Sequence, residues 1–308
     1  MKLAGFVTAA LIGGLFGCVR LHAPERIALG SAPLPQAGAP ISEAGPDRAE
    51  TAGWIRVRRV AEGRESRGIC VLLPGILGSY SAPTSENRLC EDGWNIVVVA
   101  PPLVSSVLAE MRADHPGGLE EKGACVARAV DSVIVRAAQA ARREVDALRA
   151  ADGTLSQRPL LVVGESLGAL MGVGVVATGL VPADAALFVA GGGSLIDVAA
   201  DSSLRRILFG DLPIDEPAFR SGYAAATRFD SLAAAPALRG CPVACVTAGI
   251  DLIVPVRSQE ALWTALGEPP RYRFDGGHLE LFVFAEWNIL PAIRDMAARA
   301  GAALPSAP

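Results

Sequence analysis

Histidine is scarce in this chain: three copies among 308 residues, at His22, His115 and His278. Any reaction that needs an imidazole near neutral pH must choose among them. Charge of one sign is not in excess, since the net charge is −4, so no basic stripe offers itself to nucleic acid. The small cluster Arg56, Arg58 and Arg59 reads as the solvated face of an edge strand. No G-x-G-x-x-G fingerprint follows the first expected strand, which argues against a dinucleotide enzyme, and no internal repeat is visible. Cysteines and histidines are too far apart in sequence for a zinc site, so neither metal nor cofactor is expected. Beyond Cys18 there are five cysteines, Cys70, Cys90, Cys125, Cys241 and Cys245, an odd number that leaves at least one without an intramolecular partner. Cys241 and Cys245, in an extended segment, would stand about 13 Å apart, too far for a disulfide. A Cys90–Cys125 pair stays open.

What is present fits one folded domain: 51% of residues are hydrophobic and 19% charged. The N-terminus differs from the rest. Met1 and Lys2 precede an apolar run at residues 3–16, too short to span a bilayer as an ordinary transmembrane helix and of the form of a signal peptide. Leu15-Phe16-Gly17-Cys18 resembles the lipobox of bacterial lipoproteins, with Phe16 a departure from the small or β-branched residue usual there. That resemblance implies cleavage before Cys18, lipidation of Cys18, and a place in the bacterial cell envelope on a membrane surface. Residues 24–50 hold Pro24, Pro33, Pro35, Pro40 and Pro46 among Ala, Gly and Ser, a composition that makes a tether. The expected organisation is a signal peptide at 1–17, a tether at 18–50 and one folded domain at 51–308.

Within that domain, β-rich apolar runs alternate with helical stretches, as in a mostly parallel sheet covered on both faces. Strands are expected at 54–60, 69–73, 94–100, 160–163, 185–190, 242–247 and 272–274. Helices are expected at 120–151, 167–178 and near 258–266, with a closing helix after Leu279. The Gly191-Gly192-Gly193 run lacks the lysine of a phosphate loop and reads as a close-packed turn.

Gly164-Glu165-Ser166-Leu167-Gly168 spells G-x-S-x-G between a strand and a helix. There a tight turn strains the serine and holds its Oγ above the sheet, with the helix N-terminus behind it. A serine nucleophile needs a base. His22 lies beside the tether, and His115 sits in a turn-like, surface-type loop before the long helix. His278 follows Asp275-Gly276-Gly277 at a strand end, after the serine in chain order, where a base belongs.

Together with Val71-Leu72-Leu73-Pro74-Gly75-Ile76 and Gly249-Ile250-Asp251, these segments resemble an α/β-hydrolase over residues 54–300. The resemblance implies the α/β-hydrolase fold with a short cap at 195–240, and a triad of Ser166, His278 and Asp251, with Asp197 the second choice of acid. Asp230, Asp275 and Glu280 read as solvated or capping residues. The oxyanion hole would be the backbone N–H groups of Ile76 and Leu167, although Pro74 replaces the family's usual histidine. The implied reaction is hydrolysis of a carboxylic ester through an acyl-enzyme, the substrate being a small-molecule or acyl ester. Peptidases, thioesterases and acyltransferases share the same constellation. The reading from another class is a non-catalytic, membrane-anchored scaffold, against which an intact Ser, His and Asp argue.

Overall fold

The computed structural model describes residues 53–61, 63–76 and 82–301. The apolar N-terminal run, Cys18 and the proline-rich stretch lie outside the described residues. In chain order the elements are β1 (Ile55–Arg58), β2 (Gly68–Leu73), α1 (Ala82–Glu91), β3 (Trp94–Val99), α2 (Leu103–Arg112) and α3 (Gly118–Ala151). They continue with β4 (Leu160–Glu165), α4 (Leu167–Ala177), β5 (Ala185–Val189), α5 (Leu195–Asp201), α6 (Arg205–Leu208), α7 (Pro217–Ala226) and α8 (Ser231–Ala234). The last are β6 (Val243–Ala248), α9 (Val256–Ala265), β7 (Arg271–Phe274), α10 (His278–Val283), α11 (Ala285–Asn288) and α12 (Leu290–Arg299).

The seven strands form one sheet in the order β1-β3-β2-β4-β5-β6-β7, parallel throughout except for the β1–β3 edge pair. Helices cover both faces, which is why the central strands are apolar without alternation. Ile69, Val71, Leu73 and Val162 point into one core layer with α3 and α4, while Cys70, Leu72, Leu161 and Val163 point into the other with α12. Every expected strand is present, with ends moved by two residues or fewer. The short helices α1 and α2 were not legible, because prolines at their starts read as loop. Pro102 in fact caps α2. The expected closing helix is three helices, the last opened by Pro291 in its first turn.

One expectation about charged residues needs correction. The β1 arginines are not simply solvated: Arg56 forms an ion pair with Glu86 of α1, whose side chain is 2% exposed, and Arg58 lies 3.7 Å from the same carboxylate. Asp230 is a capping residue, one of the two roles expected of it, and the structure adds that it is buried. It is 3% exposed and accepts hydrogen bonds from Leu195 N (2.8 Å) and Tyr223 Oη (2.6 Å). The glycine run behaves as a packed turn. A Cβ on Gly192 would meet Val198 and Ser258 within 2.7 Å, and Gly193 N donates to Ser258 Oγ.

Residues 195–240 pack back onto the body. Glycines on both helices let α7 approach α3 closely: a Cβ on Gly123 would lie 2.0 Å from Phe219 O, and one on Gly222 1.9 Å from Glu120 O. Asp131 of α3 then accepts from Arg228 N (2.8 Å) and Phe229 N (2.9 Å), pinning the turn that leaves α7. Phe219 and Tyr223 are therefore core residues.

Burial pushes the Asp230 carboxyl up to about 6 from 3.8. A raised folded-state value means that the folded protein holds this proton more tightly than the unfolded chain. The ionised group therefore costs stability above pH 6, and that cost disappears as the pH falls from about 6 toward 3.8. Urea denaturation of the wild type and Asp230→Asn should show the wild type gaining up to about 3 kcal/mol relative to the variant between about pH 7 and pH 4. A pH-independent difference would contradict this account.

Candidate active site

The serine turn is built by exclusion of side chains. β4 runs out at Glu165, Ser166 adopts φ 55° and ψ −117°, and α4 begins at Leu167. Positive φ is uncommon for a residue with a Cβ and costs on the order of 1–3 kcal/mol. The turn persists because its surroundings leave no alternative. Ser166 N donates to Val189 O of the neighbouring strand (2.8 Å). A Cβ on Gly164 would lie 2.6 Å from Ala169 Cα, and one on Gly168 1.9 Å from Leu73 O, so strand and helix meet backbone to backbone. The loop after β2 also closes on the serine, since a Cβ on Gly75 would be 3.0 Å from Ser166 Cβ.

His278 reaches this serine from the other side of the sheet edge. It opens α10 immediately after β7, 7% exposed, with its Nε2 2.9 Å from Ser166 Oγ and its Nδ1 2.7 Å from Asp251 Oδ2. The neutral tautomer that satisfies both contacts donates Nδ1–H to Asp251 and accepts the Ser166 hydroxyl proton at Nε2. Ile250 N donates to Gly276 O (3.1 Å), holding the acid's loop against the histidine's loop, and the Phe282 ring packs 5.1 Å from the imidazole.

Asp251 is 3% exposed and, among the described residues, its one ion-pair partner is the His278 ring, so its charge is met by hydrogen bonds. Its Oδ1 accepts from Ile253 N (2.9 Å) and Val254 N (2.8 Å), and its Oδ2 accepts from Gln259 Nε2 (3.0 Å) as well as from His278. Gln259, 2% exposed, is itself fixed at both ends: it donates to Val254 O (2.8 Å) and accepts from Ala248 N (3.0 Å). Gln259 lies in the helix expected near 258–266 and has no distinguishing mark in the sequence. The signal that singles it out, a polar residue one turn into a helix beside a buried carboxylate, needs the fold to be seen.

Leu167 opens α4, so its N–H stands at the first helical position, where no carbonyl four residues back can receive it within the helix, and Ile76 follows Gly75 in the loop against Ser166. Both line a cavity of about 420 Å³, together with Pro74, Gly75, Leu103 and Met171. Arg56 and Ser105 also line it, so the recess next to the serine turn is of mixed polar and apolar character.

The other candidates lie apart. Asp197 is on α5, ion-paired with Arg220 and 43% exposed, not beside His278. His22 and Cys18 lie outside the described residues. Asp275 and Glu280 are exposed, and Glu280 caps α10 by accepting from Gly277 N (2.8 Å). His115 is more buried than its loop suggested, its side chain being 9% exposed against Glu110. With Cys125 these two bring ligating atoms within 4.8 Å of one another, a grouping that sequence spacing does not reveal. Each already has a protein partner: His115 Nε2 contacts Glu110, and Arg128 donates to Cys125 Sγ. Among the described residues the five cysteines are unpaired.

No protein-family model matches this chain, and no curated protein does. Solved structures do. The acylaminoacyl peptidase of Pyrococcus horikoshii is similar over 78% of this chain and 39% of its own, at 13% identity and a TM-score of 0.53. Brefeldin A esterase, a bacterial homologue of human hormone-sensitive lipase, is similar over 80% of this chain and 72% of its own, at 18% identity and a TM-score of 0.50. A cold-adapted esterase from an Arctic intertidal metagenomic library is similar over 78% of this chain and 86% of its own, at 16% identity and a TM-score of 0.50. This chain thus spans about two-fifths of the peptidase's length. At these identities the likeness concerns the fold, and the fold is that of the α/β-hydrolases.

Replacing Gln259 with leucine strands Ala248 N and removes one of the four donors to Asp251. Chemical denaturation should find Gln259→Leu destabilised by roughly 2–4 kcal/mol. A variant as stable as the parent would mean that Asp251 is held by its backbone donors alone.

Proposed function

We propose that this protein is a serine hydrolase that cleaves a carboxylic ester through an acyl-enzyme. The observation that carries the proposal is the continuous relay from Ser166 Oγ to His278 Nε2 (2.9 Å) and from His278 Nδ1 to Asp251 Oδ2 (2.7 Å), set on a strained strand-to-helix turn. In this reading Ser166 Oγ attacks the ester carbonyl while His278 takes its proton, and Asp251 stabilises the imidazolium so formed. The oxyanion is received by the N–H groups of Ile76 and Leu167, at the positive end of α4. His278 returns the proton to the departing alcohol. Water, deprotonated by the same imidazole, then releases the acid and restores Ser166.

The cavity beside Ile76 and Leu167, whose lining includes Val98, Leu103, Val104 and Met171 as well as Arg56 and Ser105, offers apolar contacts that support an acyl group as the part of the substrate bound there. An ester is preferred to an amide because esterases are among the similar solved structures, although a peptidase is too. The apolar run at residues 3–16 and Cys18 support a lipid-anchored place in the bacterial cell envelope. Mass analysis of the mature N-terminus should find an acylated Cys18; an unmodified terminus at another site would remove the anchor from the proposal.

Labelling with a fluorophosphonate is the direct test. The wild type should react at Ser166, and Ser166→Ala and His278→Ala should not. Asp251→Asn should lower ester turnover by about 10³–10⁴-fold, while Asp197→Asn should leave it unchanged. A folded wild type that stays unlabelled would refute the catalytic reading.

A further inference from the structure

The N-terminal segment enters the domain on the same side as the serine. Because β1 runs antiparallel to β3, Ile55 stands opposite Val99, and Ala100 N donates to Trp54 O (2.8 Å). β1 therefore begins at the carboxyl edge of the parallel strands. Ser166 after β4, Asp251 after β6 and His278 after β7 all lie along that edge.

The same edge carries exposed apolar side chains that no described element covers. Ile250 and Leu252 flank Asp251 and are 67% and 69% exposed. Beyond His278, Leu279 is 39%, Val283 59%, Phe284 44% and Trp287 67% exposed. These residues adjoin: Ile250 is bonded to Gly276 at the root of α10, and the Phe284 and Trp287 rings stand 6.0 Å apart. Leu279 and Val283 are four residues apart on one helix face. Glu280, the acidic residue between them, is turned back to cap Gly277. Single exposed leucines need no explanation, but six exposed apolar side chains on the loop of Asp251 and the helices that follow His278, a tryptophan among them, mark an interaction surface.

The chain outside the described residues points to one occupant. Residues 18–50 would span on the order of 30 Å as a coil, about the breadth of a small domain, so a lipid on Cys18 would hold this edge within reach of a bilayer. Tryptophan and phenylalanine suit the boundary between headgroups and acyl chains. We propose that the collar formed by Ile250, Leu252, Leu279, Val283, Phe284 and Trp287 docks on a lipid bilayer, and that the ester cleaved at Ser166 is an acyl ester drawn from that bilayer. The docking stands on the exposed face; the lipid-ester substrate rests in addition on the serine-hydrolase reading.

The test mixes the full chain and its Cys18→Ser variant with phosphatidylcholine vesicles whose acyl chains carry bromine. Tryptophan fluorescence should be quenched in both, and Trp287→Phe should abolish most of the quenching. In the Cys18→Ser background, Val283→Glu should lower the vesicle-bound fraction about tenfold, while fluorophosphonate labelling in vesicle-free solution stays at the parental rate. Several results would overturn the docking. One is a chain that floats with vesicles while Trp287 stays unquenched, held by its N-terminus alone. Another is protection of Trp287 from iodide without vesicles: in a dimer seen by light scattering the cover is a second copy, and in a monomer it is the chain's own N-terminal segment. Persistent quenching without labelling at Ser166 would keep the docking and refute the substrate assignment.

Discussion

Everything at the site depends on a place where two pieces of backbone touch. The carbonyl of Leu73, at the end of β2, lies where a Cβ of Gly168 would be, and the first turn of α4 presses on Gly164 at the end of β4. Because neither contact admits a side chain, the chain must reverse within Ser166 alone, and the serine takes the positive φ that lifts its hydroxyl off the sheet. The same contact brings the loop carrying Gly75 and Ile76 alongside the first turn of α4. Strain, nucleophile position and candidate oxyanion donors are thus consequences of one packing constraint.

The second constraint is electrostatic. A carboxylate as buried as Asp251 survives only if its oxygens are met by donors, and four are supplied: two amides of its own loop, the Gln259 side chain and the His278 ring. Three of these are fixed by β6, the turn after it and α9, so the carboxylate is aimed before the imidazole arrives. The histidine, on a two-glycine loop at the next strand end, meets that carboxylate through Nδ1 and packs on the Phe282 ring. Asp197 lacks this setting. It stands exposed on α5 beside a guanidinium, which satisfies it where it is.

The segment at 195–240, where a lid would be expected, is instead tied down by carboxylates, the half-buried Asp131 and the buried Asp230. Asp131 and Asp230 each accept backbone or hydroxyl hydrogens from it, and paired glycines let α7 sit close on α3. The rim of the site is left to the loop after β2, to the acid's loop and to α10 and α11, and the last three carry the exposed apolar residues.

The strands and the serine turn were legible in the sequence because their signals are local: unbroken apolar runs between Gly and Pro for a sheet buried on both faces, and two glycines around a serine where strand gives way to helix. The single histidine after that serine, at a strand end, followed by elimination. Gln259, the burial of Asp230 and the ion pair of Arg56 with Glu86 were not legible, since a polar residue in a helix or a turn reads as solvated until the fold shows what lies over it. The amphipathic pattern likewise could not say that Leu279, Val283 and Trp287 would stay uncovered, because apolar spacing looks the same whether or not an element packs on it. Sequence by itself determined the order of elements, the strained turn and the residue types able to carry the chemistry, for these rest on neighbours along the chain. Which aspartate meets the histidine, which polar groups are buried and which apolar face is left open were decided by the tertiary structure alone, since each depends on segments that are distant in sequence and adjacent in space.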